Sequence, residues 1–162
     1  MAKNKPKIYI IDVTNRDGVQ TSRICLSKLQ KTMINIYLNE MGVFQSEMGF
    51  PLTHHETNYL NANLELAETG ALSPMRLEGW IRATKDDVKN AFSMVPEIKH
   101  LNLSISTSDQ MIMHKFKGKL DHESVIKEMK DAVKEAIKRG AESIGVNAED
   151  ASRTRMEYLI SF

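Results

Sequence analysis

IIDVTNRDGVQ, residues Ile10 to Gln20, opens as a β-branched apolar run and ends in a burst of polar side chains. A short run of this kind reads as a strand, here KIYIIDVT over Lys7–Thr14. Asp12, Thr14, Asn15, Arg16, Asp17 and Gln20 then arrive together where that strand stops. An acid, a guanidinium, a second acid and an amide at the mouth of a buried strand need a fold in which strand ends meet.

Working outward, strand-like and helix-like segments alternate. LSKLQKTMINIYLNEMG carries Leu26, Leu29, Met33, Ile36, Tyr37 and Met41 at helical spacing, with Ser27 to cap its start and Gly42 to end it. Val43–Gly49 reads as strand 2. Pro51 breaks the chain, and Thr53 with Glu56 predicts a capping box for a helix that stops near Gly70. Arg76–Arg82 reads as strand 3, and Thr84 with Asp87 predicts a second capping box for a helix through about Val95. His100–Ser106 reads as strand 4. A polar loop, TSDQMIMHKFKGK, leads to a helix in which Val125, Met129, Val133, Ala136 and Ile137 repeat at spacings of three and four, closed by Gly140. Ser143–Ala148 reads as strand 5, and Arg153 to Phe162 as the start of a fifth helix.

Five strands alternating with helices imply a parallel sheet. Two architectures follow. An open doubly wound sheet suits 162 residues. A (β/α)₈ barrel needs about 250 residues, so this chain would hold its first five units. No G-x-G-x-x-G or P-loop pattern follows any strand, which argues against the usual nucleotide-binding sheet.

Composition sets outer bounds. Hydrophobic residues are 41% and charged residues 27%, as in a globular domain. The formal net charge of +1 offers no bulk field for nucleic acid or an anionic membrane, and neither is expected as a partner. Lys115, Lys117 and Lys119 read as a solvated loop. No apolar run reaches about 18 residues, so no transmembrane helix is expected, and the basic N-terminus meets Asp12 too soon for a signal peptide. Cys25 is the single cysteine, which points to a reducing, cytoplasmic compartment.

In either architecture, function collects at the carboxyl ends of the strands. Those ends carry Asp12, Arg16, Asp17 and Gln20; Glu47; Arg82 and Thr84; Ser104, Ser106 and Ser108; and Asn147, Glu149, Asp150 and Arg153. Turn and cap chemistry accounts for the serines and threonines. It accounts less well for the carboxylates, because unpaired acids beside a core are costly. Acids that converge pair with cations or bind a metal, so the pattern predicts a metal or anionic-substrate site.

DVTNRDGVQ closely resembles the D-[TS]-T-L-R-D-G-x-Q signature of the acyl-CoA-condensing aldolase-type barrels, the group of homocitrate, 2-isopropylmalate, citramalate and Re-type citrate synthases. SEMGFP resembles the family's E-x-G-x-P of strand 2. LNLSISTSDQMIMHKF resembles its strand 4 segment, and GVNAEDASRTRMEYLI its E-D-A-S-R stretch after strand 5. The likeness runs through the whole chain and is nearest to the nitrogen-fixation type of homocitrate synthase and to Re-citrate synthase.

The resemblance implies that residues 1–162 form the N-terminal part of a catalytic TIM-barrel domain, pyruvate carboxyltransferase-like. It implies metal-assisted condensation of acetyl-CoA with a 2-oxo acid, then thioester hydrolysis. Homocitrate from 2-oxoglutarate stands first, with citrate from oxaloacetate or 2-isopropylmalate and citramalate chemistry as alternatives. Arg16 matches the arginine at the keto oxygen, Asp17 the ligand of a divalent metal (Mg²⁺ or Mn²⁺, with Zn²⁺ as a further option) and Gln20 a glutamine near the substrate. Glu47 matches the glutamate near the far end of the oxo acid, Glu149 the catalytic acid of the strand 5 motif, and Arg153 a holder of acids or of a carboxylate. Asp12 is expected to brace Arg16 from behind.

The sequence also departs from the family. Asn15 stands where most members have Leu, and Thr84–Lys85 where some homocitrate synthases have a substrate-contacting histidine. The family's other metal ligands are an H-x-H pair on a later strand, and this chain has none. The expectation is half an active site, completed by a C-terminal half-chain or by association of like chains. A non-catalytic half-barrel subunit is the reading from another class.

Overall fold

The computed structural model describes residues 6–162. Five parallel strands form one sheet: β1 (Ile11–Asp12), β2 (Gln45–Gly49), β3 (Arg76–Arg82), β4 (His100–Ser106) and β5 (Ser143–Glu149). Between and after them come α1 (Lys28–Glu40), α2 (His54–Glu68), α3 (Lys85–Met94), α4 (Asp109–His114), α5 (His122–Lys138) and α6 (Met156–Ser161).

The strand order is β1-β2-β3-β4-β5, without reversal. That order removes the doubly wound alternative, whose sheet must reverse direction at a switch point. Right-handed crossovers taken always in the same direction lay every helix on one face. The other face is left concave and free of helices, as in a barrel interior. The chain is a partial (β/α) barrel.

The core lies between sheet and helices. Met48, Leu77, Ile81, Leu101 and Leu103 from the strands meet Leu60, Val88, Val95, Val125 and Ala132 from the helices. Side chains alternate along a strand, so the residues between these apolar ones point into the concavity. They include Glu47, Glu78, Trp80, Asn102, Ser104 and Ser106.

The expected caps are present on the helices that frame the site. Ser27, Thr53 and Thr84 each accept a backbone N–H three residues on, and Ser27 with Gln30 completes a capping box. The boxes expected at Thr53–Glu56 and Thr84–Asp87 are only half formed, because the Glu56 carboxylate pairs with Lys31 and that of Asp87 with Arg82. Three other expectations change. β1 spans two residues rather than Lys7–Thr14, because β2 begins opposite Ile11 and leaves the preceding residues no ladder partner. The polar loop after β4 contains α4, capped by Ser108. Most of the apolar spacing of α1 does not face the core, although Ile36 packs against it. Leu29, Met33, Tyr37 and Met41 are exposed, whereas Lys31 and Asn35 are buried.

Candidate active site at the carboxyl ends of the strands

The turn after β1 is wound tightly. The Val13 carbonyl accepts the N–H groups of Arg16, Asp17 and Gly18, and the Thr14 carbonyl accepts that of Val19. Successive side chains therefore leave in different directions. Asn15 points into the helix layer, and Arg16 reaches over the concave face. Arg16 Nε donates to Glu47 Oε1, Nη1 donates to Asp17 Oδ1 at 2.9 Å, and the guanidinium carbon lies 5.1 Å from the Trp80 ring centre. Three partners thus fix a cation whose remaining N–H groups are free to meet a ligand.

Asp12 is engaged elsewhere. Its carboxylate accepts the Thr14 N–H at 2.9 Å and the Thr14 hydroxyl at 3.1 Å. The bracing of Arg16 expected from Asp12 comes instead from Glu47 and Asp17. Asp17 stands at the rim with its side chain 62% exposed, and Gln20 ends the turn in solvent.

Glu47 is 1% exposed. Its second oxygen accepts Asn102 Nδ2 at 2.6 Å, so both oxygens are engaged. Its ladder neighbour on β3 is Glu78, also buried. Two acids side by side cannot both ionise cheaply, and the guanidinium belongs to Glu47. Burial first, then the Glu47 charge, pushes the Glu78 carboxyl up to about 7, against the pull of a Gln45 hydrogen bond and of Arg16.

A second cluster lies between the ends of β4 and β5. Ser106 Oγ and Lys115 Nζ both donate to Glu149 Oε2 at 2.6 Å. Burial pushes the Glu149 carboxyl up, but the hydrogen bonds from Lys115 and Ser106 outweigh it and hold it below the ordinary carboxylate range. Beside it, Asp150 accepts from Ser108 and pairs with Arg153 through Nη2 at 2.7 Å. Arg153 Nε also donates to the Asp150 carboxylate, at 2.9 Å. A cavity of about 670 Å³ opens beside this second cluster; Trp80, Arg82, Ser104, Lys115 and Glu149 are among its walls.

Four members of this arrangement have no role assigned in the motif reading: Glu78, Trp80, Asn102 and Lys115. The signal for the first three is the period-two alternation of RLEGWIR and HLNLSIS, which puts polar and aromatic groups on one face of strands whose other face is apolar. Lys115 reads as part of a solvated loop until α4 turns it back onto Glu149.

Among the described residues no group of three His, Cys, Asp or Glu converges as a metal centre. Asp17 is the right kind of ligand, a hard exposed oxygen at the rim beside Arg16, but it stands alone. These residues do not by themselves hold a divalent ion.

Comparison with known proteins agrees with this geometry. Residues 7–162 match the HMGL-like family. The chain is 62% identical over 156 residues to a citrate (Re)-synthase of Dehalococcoides mccartyi, covering 96% of this chain and 38% of that protein. It is 38% identical over 160 residues to 2-isopropylmalate synthase 2 of Caldanaerobacter subterraneus, covering 99% of this chain and 39% of the relative. It is 33% identical over 155 residues to the homocitrate synthase AksA of Methanocaldococcus jannaschii, covering 94% of this chain and 36% of the relative. The chain thus spans about two fifths of the length of these relatives. With parallel strands in unbroken order and polar groups gathered at their carboxyl ends, the chain belongs to the HMGL-like family.

Proposed function

We propose that this chain supplies the amino-terminal part of a synthase that condenses acetyl-CoA with a 2-oxo acid, and that the oxo acid is oxaloacetate, giving citrate. The observation that carries the reading is Arg16, locked between Glu47, Asp17 and Trp80 with N–H groups to spare over the concavity. When the acetyl-CoA enolate attacks a ketone, negative charge grows on the keto oxygen. A fixed cation aimed there stabilises the transition state more than the ground state. Glu149, kept ionised by Lys115 and Ser106, is a carboxylate ready to accept a proton or a substrate hydroxyl. Glu47 acts through Arg16, since both its oxygens are engaged. Gln20 flanks the substrate and Arg153 steadies Asp150.

A divalent ion, Mg²⁺ or Mn²⁺ with Zn²⁺ as a third option, would add Lewis acidity at the keto and carboxylate oxygens, with Asp17 among its ligands and the others from outside these residues. The choice of oxaloacetate over 2-oxoglutarate, which the motif reading puts first, follows the 62% identity to a citrate (Re)-synthase against 33% to a homocitrate synthase.

The rest of the barrel lies outside these residues, in a C-terminal segment, a C-terminal half-chain or a second copy. Apolar residues exposed at both ends of the sheet support this reading: Ile8, Ile10 and Ile11 beside β1, and Val146, Met156 and Ile160 at and beyond β5. No helix among the described residues is long and apolar enough to cross a membrane. A reducing cytoplasm suits the exposed Cys25 thiol.

The test mixes the chain with the complementary segment of a relative, acetyl-CoA, Mn²⁺ and each 2-oxo acid in turn, and follows free thiol. Release with oxaloacetate above that with 2-oxoglutarate is expected. No release with any oxo acid would sink the enzyme reading and leave the non-catalytic subunit.

A further inference from the structure

We propose that a buried amide network built on Asn15, Asn35 and Asn63 holds Arg16 over Trp80, which makes Asn15 a positioning residue for the candidate site. Its functional weight rests on the role given above to Arg16; its structural content does not.

β1 is two residues long and has one neighbour among the described residues. So short an edge strand grips the turn that follows it weakly. Asn15, in the middle of that turn, is fully buried. Its Nδ2 donates to the Lys31 carbonyl at 2.9 Å and to Asn35 Oδ1 at 2.8 Å. Asn35, on the buried face of α1, uses all its capacity. Oδ1 also accepts the Ser46 hydroxyl at 2.8 Å, and Nδ2 donates to the Tyr59 hydroxyl at 2.8 Å and to Asn63 Oδ1 at 3.0 Å. Asn63 in turn donates to Thr32 Oγ1 and to the Tyr59 carbonyl. One chain of amides thus ties the β1 turn to α1, β2 and α2.

Two features mark this as a directional device rather than filling. Asn15 Oδ1 is buried with no partner among the described residues, a cost that an apolar side chain would avoid. Yet its two N–H groups are aimed at two acceptors one turn apart on α1, the Lys31 carbonyl and Asn35 Oδ1, which fixes the side chain in direction as well as in place. Apolar packing fixes distance, whereas hydrogen bonds also fix direction. The residue whose direction matters is the next one. With Asn15 anchored on the helix side, Arg16 must leave on the concave side, where Glu47 and Trp80 receive it.

Trp80 is the single tryptophan, so its fluorescence reports on the guanidinium lying over it. Acrylamide quenching of Trp80 is measured on the full chain without substrate, so the outcome is independent of the condensation assay. R16A combined with E47Q, which spares the buried acid an unpaired charge, defines the uncovered indole. N15L should raise the quenching constant to the level of that double variant and should add nothing when introduced into it. S46A, which removes one bond to Asn35 but leaves both Asn15 bonds, should lower the melting temperature without moving the quenching constant. N15A removes the same donors with no added bulk and answers the question if N15L does not fold. Wild-type quenching in N15L or N15A, whatever their melting temperature, would overturn the proposal.

Discussion

Asn102 Nδ2 donates to Glu47 Oε2 at 2.6 Å, and this bond joins β4 to β2 across the face of β3. In a flat sheet strands two apart are separated by roughly 10 Å. A direct bond between short side chains over that span requires the sheet to curl toward them. The bond is therefore part of the barrel curvature and part of the candidate site at once.

Loss of that bond should be costly because Glu47 is buried. N102L leaves one carboxylate oxygen without its donor in a desolvated place, and about 1–3 kcal/mol of stability should go. G145A should move in the same direction by less, since a Cβ at Gly145 would lie 3.1 Å from Asn102 Oδ1 and crowd it. Urea denaturation of the three chains gives the comparison; a stability for N102L equal to wild type would show that Glu47 does not need Asn102.

Arg16 should separate charge from geometry. R16K keeps a cation but loses the planar fork that serves Glu47, Asp17 and a ligand together. In the reconstituted assay kcat/KM should fall on the order of 10²- to 10³-fold, the usual effect of removing one donor aimed at a developing oxyanion. R16A should go further and also destabilise the fold, because it strands the Glu47 charge. E47Q in the same chain should restore much of the stability and none of the activity. Recovery of activity in that double variant would refute the role of Arg16.

Much of this is legible in the sequence. The place of β1, though not its length, the side-chain caps at Ser27, Thr53 and Thr84 and the polar strand ends depend on local chemistry, and local chemistry is what a sequence displays. The orientation of α1 was not legible. Its apolar positions predict the buried face, but the face that packs carries Lys31 and Asn35, because an amide network spanning three other elements awaits them there. Likewise the bracing of Arg16 by Glu47 needs β1 and β2 in register, a long-range fact that no spacing within DVTNRDGVQ encodes.

Glu78 should make stability depend on pH near neutrality. Its folded carboxyl sits at about 7, raised from 4.5 by burial and by Glu47. Between those values the folded chain binds more protons than the unfolded one. Stability is therefore greatest on the acid side of this window, falls as pH rises from about 4.5 to 7, and levels off above. The full excursion is on the order of 3 kcal/mol. E78Q removes the group, so the difference in melting temperature between E78Q and wild type should widen across that window in favour of the variant. A constant difference from pH 5 to 8 would show that Glu78 is ionised throughout.

The chain on its own should associate. Leu29, Met33, Tyr37 and Met41 lie four residues apart along α1 and its C-cap, which aligns them on one exposed stripe. Ile8, Ile10, Ile11 and Val13 extend apolar surface along the neighbouring sheet edge. A contiguous patch of that kind marks an interface, and the unpaired backbone of an edge strand adds to the pull. Sedimentation equilibrium at micromolar concentration should find species larger than the 162-residue monomer. M33E/Y37E should shift the population toward monomer with a stability change within about 0.5 kcal/mol, because neither side chain supports the core. A wild-type chain that remains a stable monomer would mean that these surfaces need no cover, and the partial-barrel assembly proposed here would fail with it.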